Sequence, residues 1–211
     1  MPEAPLLALG LMLAPRDAKF LPEWLAANAA PFAGLALLYD GEAVPGSVQD
    51  MVYARAPQPK GSVILDARPL NRDFAAQRAR LARMSPCDWM LMLDADEYVE
   101  PDALALLAPA LATLLAERPH VRVVGFPRIN LVDGLARDEE DFQFRLVRRD
   151  EPWLNTHPAE GSVPGCHELP SACLERVPDR DKAVAVLEAV RIIHAKSGAR
   201  QAAQDALYES Y

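Results

Sequence analysis

The sequence predicts an α/β fold built on a mostly parallel central sheet with helices on both faces, followed by a small antiparallel, loop-rich C-terminal part. Three observations predict it. Apolar runs without alternation recur at residues 6–13, 35–39, 63–65 and 89–93, as strands buried on both faces require. Segments of helical spacing separate them, and strands alternating with helices imply a parallel sheet with right-handed crossovers. Finally, acids follow three of the runs, at Asp40, Asp66 and Asp94, and ligands of open α/β sheets bind beyond the carboxyl ends of strands.

The run over 6–13 resembles a secretion signal only superficially. It lacks a basic flank, Glu3 is the only charge before Arg16, and it is far short of the roughly 20 residues that span a bilayer. It reads as the first buried strand. Residues 14–17 form a turn, and Phe20, Leu21, Trp24 and Leu25 fall at helical spacing, which predicts a helix over 18–30. A second strand covers 35–39 and ends in Asp40-Gly41-Glu42 and a loop containing Pro45-Gly46-Ser47. After the strand over 63–65, residues 71–83 form a helix with Asn71 or Asp73 as cap and Phe74, Arg78, Leu81 and Ala82 on one face. The strand over 89–93 follows.

Glu100-Pro101-Asp102 is a strong helix start, with proline at the first position and acids near the positive end of the dipole. The helix over 101–117 is rich in Leu and Ala and is expected to be largely buried, with Pro109 kinking or dividing it. Beyond the strand over 121–126 the texture turns to polar loops. Residues 142–147 alternate and predict an antiparallel, half-exposed strand; 161–178 read as irregular, 190–194 as a late strand, and Ser197 opens a final helix to about Tyr208.

A chain of 211 residues that is 51% hydrophobic can bury a substantial core, and its length favours one domain over 1–211. A formal charge of −8 argues against a nucleic-acid binder, which needs clustered Lys and Arg. The three cysteines, Cys87, Cys166 and Cys173, have no framework spacing and suit a reducing compartment, so the cytoplasm is the expected location. No transmembrane segment is expected.

Chemistry is expected where the apolar run over 89–93 ends in Asp94-Ala95-Asp96-Glu97. If the backbone stays extended past Leu93, Asp94 and Asp96 point the same way and offer a divalent cation two carboxylates. The alternative is that they are turn or cap residues.

Asn71, Phe74 and Gln77-Arg78, followed by Asp88-Trp89-Met90-Leu91-Met92-Leu93-Asp94-Ala95-Asp96-Glu97, resemble the core signature of family-2 glycosyltransferases with a GT-A fold. That signature is an N-F-x-x-Q-R-N-like helix and then D-W, an apolar strand and L-D-A-D-E. The match is closest over 63–100, and a weaker likeness extends from Leu6 to His194. The resemblance implies a Rossmann-like GT-A domain, with a nucleotide-sugar-binding half over 1–118 and an acceptor-side half over 119–211. It implies a metal-dependent, inverting transfer of a sugar from a UDP- or GDP-sugar to a saccharide or lipid-linked acceptor. The setting would be bacterial cell-envelope polysaccharide biosynthesis, with room for peripheral membrane contact.

The resemblance also implies roles. Asp96 would be the chief ligand of Mg²⁺ or Mn²⁺, with Asp94 at the ribose, the metal or a metal-bound water, and His194 completing the metal or diphosphate site. Asp40 and Asp66 would contact the base or ribose, and Gln77 and Arg78 the diphosphate or a bracing position. Glu168, in Gly165-Cys166-His167-Glu168, would be the base that takes the acceptor's proton, with Asp141 second. Arg145, in a Q-x-R-L-like segment, would line the acceptor side.

Each role has a plainer alternative: a turn-forming Asp40 before Gly41, a loop acid at Asp66, solvated helix-face residues at Gln77 and Arg78, a solvated Glu168 and a structural His194. The chain also departs from the pattern. The family's D-D-G-S-x-D string is replaced by Tyr39-Asp40-Gly41-Glu42 with Ser47 further on, and its Asn-Glu after the first strand by Pro15-Arg16-Asp17.

Other chemistries fit less well. A dehalogenase-type phosphatase wants a small residue where Tyr98 stands. A nucleotidyltransferase, which shares fold and metal logic, normally carries a Gly-rich basic loop after its first strand. Glycoside hydrolysis needs two flanking carboxylates, and no such pair can be assigned. A zinc site from His157, Cys166, His167 and Cys173 matches no standard spacing. The non-enzymatic alternative is a GT-A domain that binds nucleotide or glycan without transfer.

Overall fold

The computed structural model describes residues 6–55, 62–71, 73–136, 141–156, 167–173 and 180–196. Strand β1 (Leu7–Leu13) lies between β2 (Gly34–Tyr39) and β4 (Trp89–Leu93), parallel to both, and β3 (Val63–Ala67) extends the parallel set beyond β2. On the other side of β4, β8 (Asp141–Arg148) runs antiparallel, followed by β6 (Val123–Val132), β12 (Ile192–Lys196) and β5 (Glu97–Val99). Two short strands, β7 (Leu135–Ala136) and β11 (Val184–Val186), flank β6 and complete a ten-stranded sheet. A separate antiparallel pair joins β9 (Trp153–Thr156) to β10 (His167–Pro170). Only β5, β7 and β8 run against the rest, so the sheet is mostly parallel. The sheet is thus mixed rather than wholly parallel, and strands from both predicted halves share it.

The period-2 alternation of each strand feeds two cores. Leu9, Leu11, Leu13, Leu35, Leu37, Leu91 and Leu93 face one side, where they meet helices α1 (Leu21–Asn28), α2 (Gly46–Arg55) and α4 (Pro101–Glu117). Ala8, Ala36, Leu38, Met90 and Met92 face the other, against α3 (Phe74–Arg83), Trp153 and Cys173. Helices on both faces explain why β1, β2 and β4 carry no polar face.

Several expectations need correction. The first helix is two elements, a 3-10 turn over Pro15–Phe20 and α1, because Pro22 sits in the first turn of α1, where its missing N–H costs nothing. Gly46 and Ser47 belong not to a loop but to α2: the Pro45 carbonyl before it accepts the Val48 and Gln49 amides, and Val48 and Val52, four apart, are buried. Asp73, not Asn71, caps α3, accepting the Ala76 amide at 3.0 Å; Asn71 instead takes a left-handed φ of 47°.

Helix α4 is continuous through Pro109 and buries only one stripe, Leu104, Leu107, Leu111 and Ala112. Pro109 is exposed, so the carbonyl it leaves without an amide faces water, and nothing forces a break. Strand β8 is antiparallel as expected, with Phe142 and Arg148 exposed, but its middle is not half-exposed. It lies between β4 and β6, and Arg145, Leu146 and Val147 are buried. The segment expected to be irregular contains β10 and a short 3-10 turn over Ser171–Cys173. The expected final helix from Ser197 lies outside the described residues. Among the described residues no helix is long and apolar enough to cross a membrane.

Candidate functional site

The chain does not stay extended past Leu93. Residues 94–97 turn, with the Glu97 amide donating to the Asp94 carbonyl at 3.0 Å and the Asp94 amide to Glu97 Oε2 at 2.9 Å. Three residues from two further elements, α1 and β12, hold this turn from outside. Trp24 Nε1, on α1, donates to the Asp94 carbonyl at 2.9 Å. The Ala195 amide, on β12, donates to the Asp96 carbonyl at 3.0 Å. Asn28 is fully buried, donates through Nδ2 to the Glu97 carbonyl and accepts the Val99 amide. The extended backbone on which a common direction of Asp94 and Asp96 depends is replaced by a turn, and the two carboxylates have different nearest partners.

Asp94 faces two arginines. Arg78 Nη2 donates to its Oδ1 at 2.7 Å and Arg145 Nη2 to its Oδ2 at 2.7 Å. The latter group also reaches Glu97 Oε1 at 3.0 Å, while Arg128 Nη1 stands 3.7 Å from the same oxygen. The Glu97 side chain is wholly buried and the Arg78 side chain nearly so, and buried charges persist only when paired and hydrogen-bonded. Arg78 also lies 5.9 Å from the centroid of the Trp153 ring, within cation–π range. Burial alone would raise the Asp94 pKa. Arg145, Arg78 and more weakly His194 outweigh it and hold the carboxyl well below the ordinary carboxylate range.

Asp96 faces His194. Its Oδ2 lies 3.1 Å from His194 Nε2, both side chains being about nine-tenths buried. The other ring nitrogen, Nδ1, lies 2.9 Å from Asn130 Oδ1. Among the described residues no group of three or more His, Cys, Asp or Glu converges as a ready metal cage. The pair nonetheless fits a cation of the Mg²⁺ or Mn²⁺ type. Such ions bind protein through one or two groups and fill the rest of an octahedron with water and substrate phosphate. Neighbouring ligands at right angles and about 2.1 Å from an ion stand about 3 Å apart, close to the observed 3.1 Å.

The remaining candidates are dispersed. Asp40 Oδ1 accepts the Leu70 amide at 2.8 Å, tying the end of β2 to the segment after β3. Asp66 pairs with Arg80, whose Nε donates to Oδ2 at 2.7 Å. Gln77 and Arg78 are buried, so neither is a solvated helix-face residue. Gln77 Nε2 braces the Arg68 carbonyl at 2.6 Å, and Arg78 braces Asp94. Arg145 is drawn into the Asp94–Glu97 cluster rather than presented to a surface groove.

The backbones of Glu168 and Asp141 lie on β10 and β8, opposite Asn155 and Arg128; their side chains lie outside the described part of the structure. Of the zinc set, His157 and Cys166 lie outside it, and Cys173 is buried. Sequence reasoning gave no role to Trp24, Asn28, Glu97 or Asn130. The contacts of Trp24 and Asn28 with the turn cross about 70 positions, and no local pattern announces them.

No family model matches the chain, and no curated protein does. Solved structures do. The structure of GalNAc-T7 with UDP, GalNAc and Mn²⁺ is similar over 93% of this chain and 45% of that one, with a TM-score of 0.53 and 10% identity. That of S. aureus TarS 1-349 is similar over 64% of this chain and 38% of that one, with a TM-score of 0.44 and 11% identity. The chain thus spans less than half the length of each. At such identities the likeness is one of fold: a mixed α/β architecture with a mostly parallel, curled central sheet of the GT-A-like glycosyltransferase kind.

Proposed function

We propose that the chain is a metal-dependent, inverting glycosyltransferase that moves a sugar from a UDP- or GDP-sugar to a saccharide or lipid-linked acceptor. The observation that carries this reading is the Asp96–His194 pair, 3.1 Å apart, at the carboxyl end of a buried strand in a GT-A-like sheet. The position is where such sheets receive ligands. The GalNAc-T7 structure, with UDP and Mn²⁺, supports the same choice of partners.

In this reading Asp96 and His194 hold the Mg²⁺ or Mn²⁺. When bound, the ion supplies Lewis-acid stabilisation of the charge that builds on the departing diphosphate. Asp94 keeps the turn closed against Arg78 and Arg145, leaving Asp96 to face the donor. Residues 1–118 form the donor half, with Asp40 and Asp66 towards the base and ribose, and 119–211 the acceptor half. Glu168, or failing it Asp141, removes the acceptor hydroxyl's proton as it attacks the anomeric carbon. The cellular setting proposed is the bacterial cytoplasm, in envelope polysaccharide synthesis.

Calorimetry with UDP and GDP, with and without Mn²⁺, tests the reading. Metal-dependent nucleotide binding is expected, and its absence sinks the proposal. Asp96→Ala should abolish that binding, whereas Glu168→Ala should preserve it and remove turnover. Equal loss of binding in both would contradict this division of roles. A second reading, a GT-A domain that binds nucleotide without transfer, draws support from Asp94, whose two oxygens are both taken by arginines. It predicts binding with no turnover for any donor.

A further inference from the structure

The amide oxygen of Asn130 meets the one ring nitrogen of His194 that Asp96 does not. The two residues are register partners on the parallel strands β6 and β12, so their side chains leave the same face of the sheet side by side. The arrangement is set by the strand pairing itself and does not depend on a loop.

An amide oxygen only accepts hydrogen bonds. The 2.9 Å contact with Asn130 Oδ1 is a hydrogen bond in the state that carries a hydrogen on His194 Nδ1, and it favours that state. In the neutral ring this leaves the Nε2 lone pair aimed at Asp96 Oδ2. The competing tautomer puts the hydrogen on Nε2, where it would bond to Asp96 at 3.1 Å and occupy both groups at once. A histidine binds a metal through the nitrogen without hydrogen, and the group on its other nitrogen decides which one that is.

We infer that Asn130 is a positioning residue of the cation site: it holds His194 in the tautomer and orientation that present Nε2, with Asp96, to a divalent metal. The inference rests on the metal-dependent reading above and adds to it a residue that acts through His194. Removing such a partner typically weakens metal binding by about 10–100-fold.

The test is Mn²⁺ binding by the whole chain, followed by electron paramagnetic resonance with and without UDP. Asn130→Leu should bind Mn²⁺ about 10–100-fold more weakly than the wild type and lose the spectroscopic signature of a directly bound imidazole nitrogen. Asn130→Asp keeps an acceptor in place and should retain wild-type affinity and that signature. If Asn130→Leu binds with unchanged affinity and an unchanged nitrogen signal, Asn130 has no such role. A tenfold loss in Asn130→Asp overturns the inference too, even where Asn130→Leu is too unstable to measure. A wild-type chain that binds no Mn²⁺ removes the metal reading itself, an outcome distinct from failure at Asn130 alone.

Discussion

The two halves of the sheet are held together by different physics. In β2, β1 and β4 nearly every position is an apolar residue with no exposed surface, and charge appears only where a strand ends. In the half formed by β8, β6, β12 and β5, charged and polar side chains stand within the strands: Arg145, Arg128, Asn130, His194 and Glu97. The first half supplies Asp94 and Asp96 at the end of β4, and the second supplies Arg145 and His194, which engage them. The site is where the two meet, so each half should respond to a different kind of perturbation.

The largest effect is expected at the charges. Arg145→Leu leaves the buried Glu97 carboxylate with Arg128, 3.7 Å away, as its charged neighbour, and takes one of the two arginines from Asp94. Breaking a buried pair from one side costs about 3–5 kcal/mol, and urea unfolding should show most of that; a change below about 1 kcal/mol would mean the cluster is solvated rather than buried.

The same cluster fixes a pH dependence. Asp94 has a folded-state pKa below its unfolded one, so its stabilisation is present above the ordinary carboxylate value of about 4 and lost as pH falls through the folded value. Asp94→Asn should therefore flatten the fall in stability on the acid side of about pH 4. An unchanged acid slope would show that the two arginines do not act on Asp94 as their distances imply.

The two halves also differ in how much of them their sequence reveals. The parallel half was legible because its signals are local: uninterrupted apolar runs, a cap at Asn71 or Asp73, of which Asp73 serves, and the Pro101 start, from which α4 follows with the expected bounds. Val48 and Val52, four apart behind Pro45, carried a signal for α2 that the loop-like Pro45-Gly46-Ser47 obscured. The other half was not legible in this way. Whether the backbone bends after Leu93 depends on Trp24, Asn28 and Ala195. That Arg145 reaches Asp94 and Glu97 depends on β8 entering next to β4, a pairing across more than 50 residues. Periodicity reports which face is buried and says nothing about which charge a buried arginine meets.

For the apolar half, the sharpest probe is steric. A Cβ on Gly34, at the start of β2, would run into the Pro86 ring and stand 3.0 Å from the Ser62 carbonyl oxygen. Neither neighbour is a flexible side-chain end, so Gly34→Ala should cost about 1–3 kcal/mol, the range for overpacking. The loss should be the same at pH 4 and pH 7, because no titrating group is involved. A strongly pH-dependent loss would blur the distinction between the halves.

The smallest effect is expected at the cap of α3. Asp73→Ala removes the acceptor of the Ala76 amide and should cost about 1 kcal/mol. Asp73 also stands 3.8 Å from Arg68, a partly exposed pair that adds little. Arg78 rides on this helix, so the substitution separates two couplings. If α3 merely packs, Asp73→Ala lowers stability in chemical denaturation and leaves nucleotide and Mn²⁺ affinity unchanged. If fraying at its first turn reaches Arg78, one turn further on, the hold on Asp94 loosens and affinity falls with stability. Arg78 is buried and anchored at both Asp94 and Trp153, which favours the first outcome; the ratio of the two losses, read from denaturation and calorimetry on one variant, decides it.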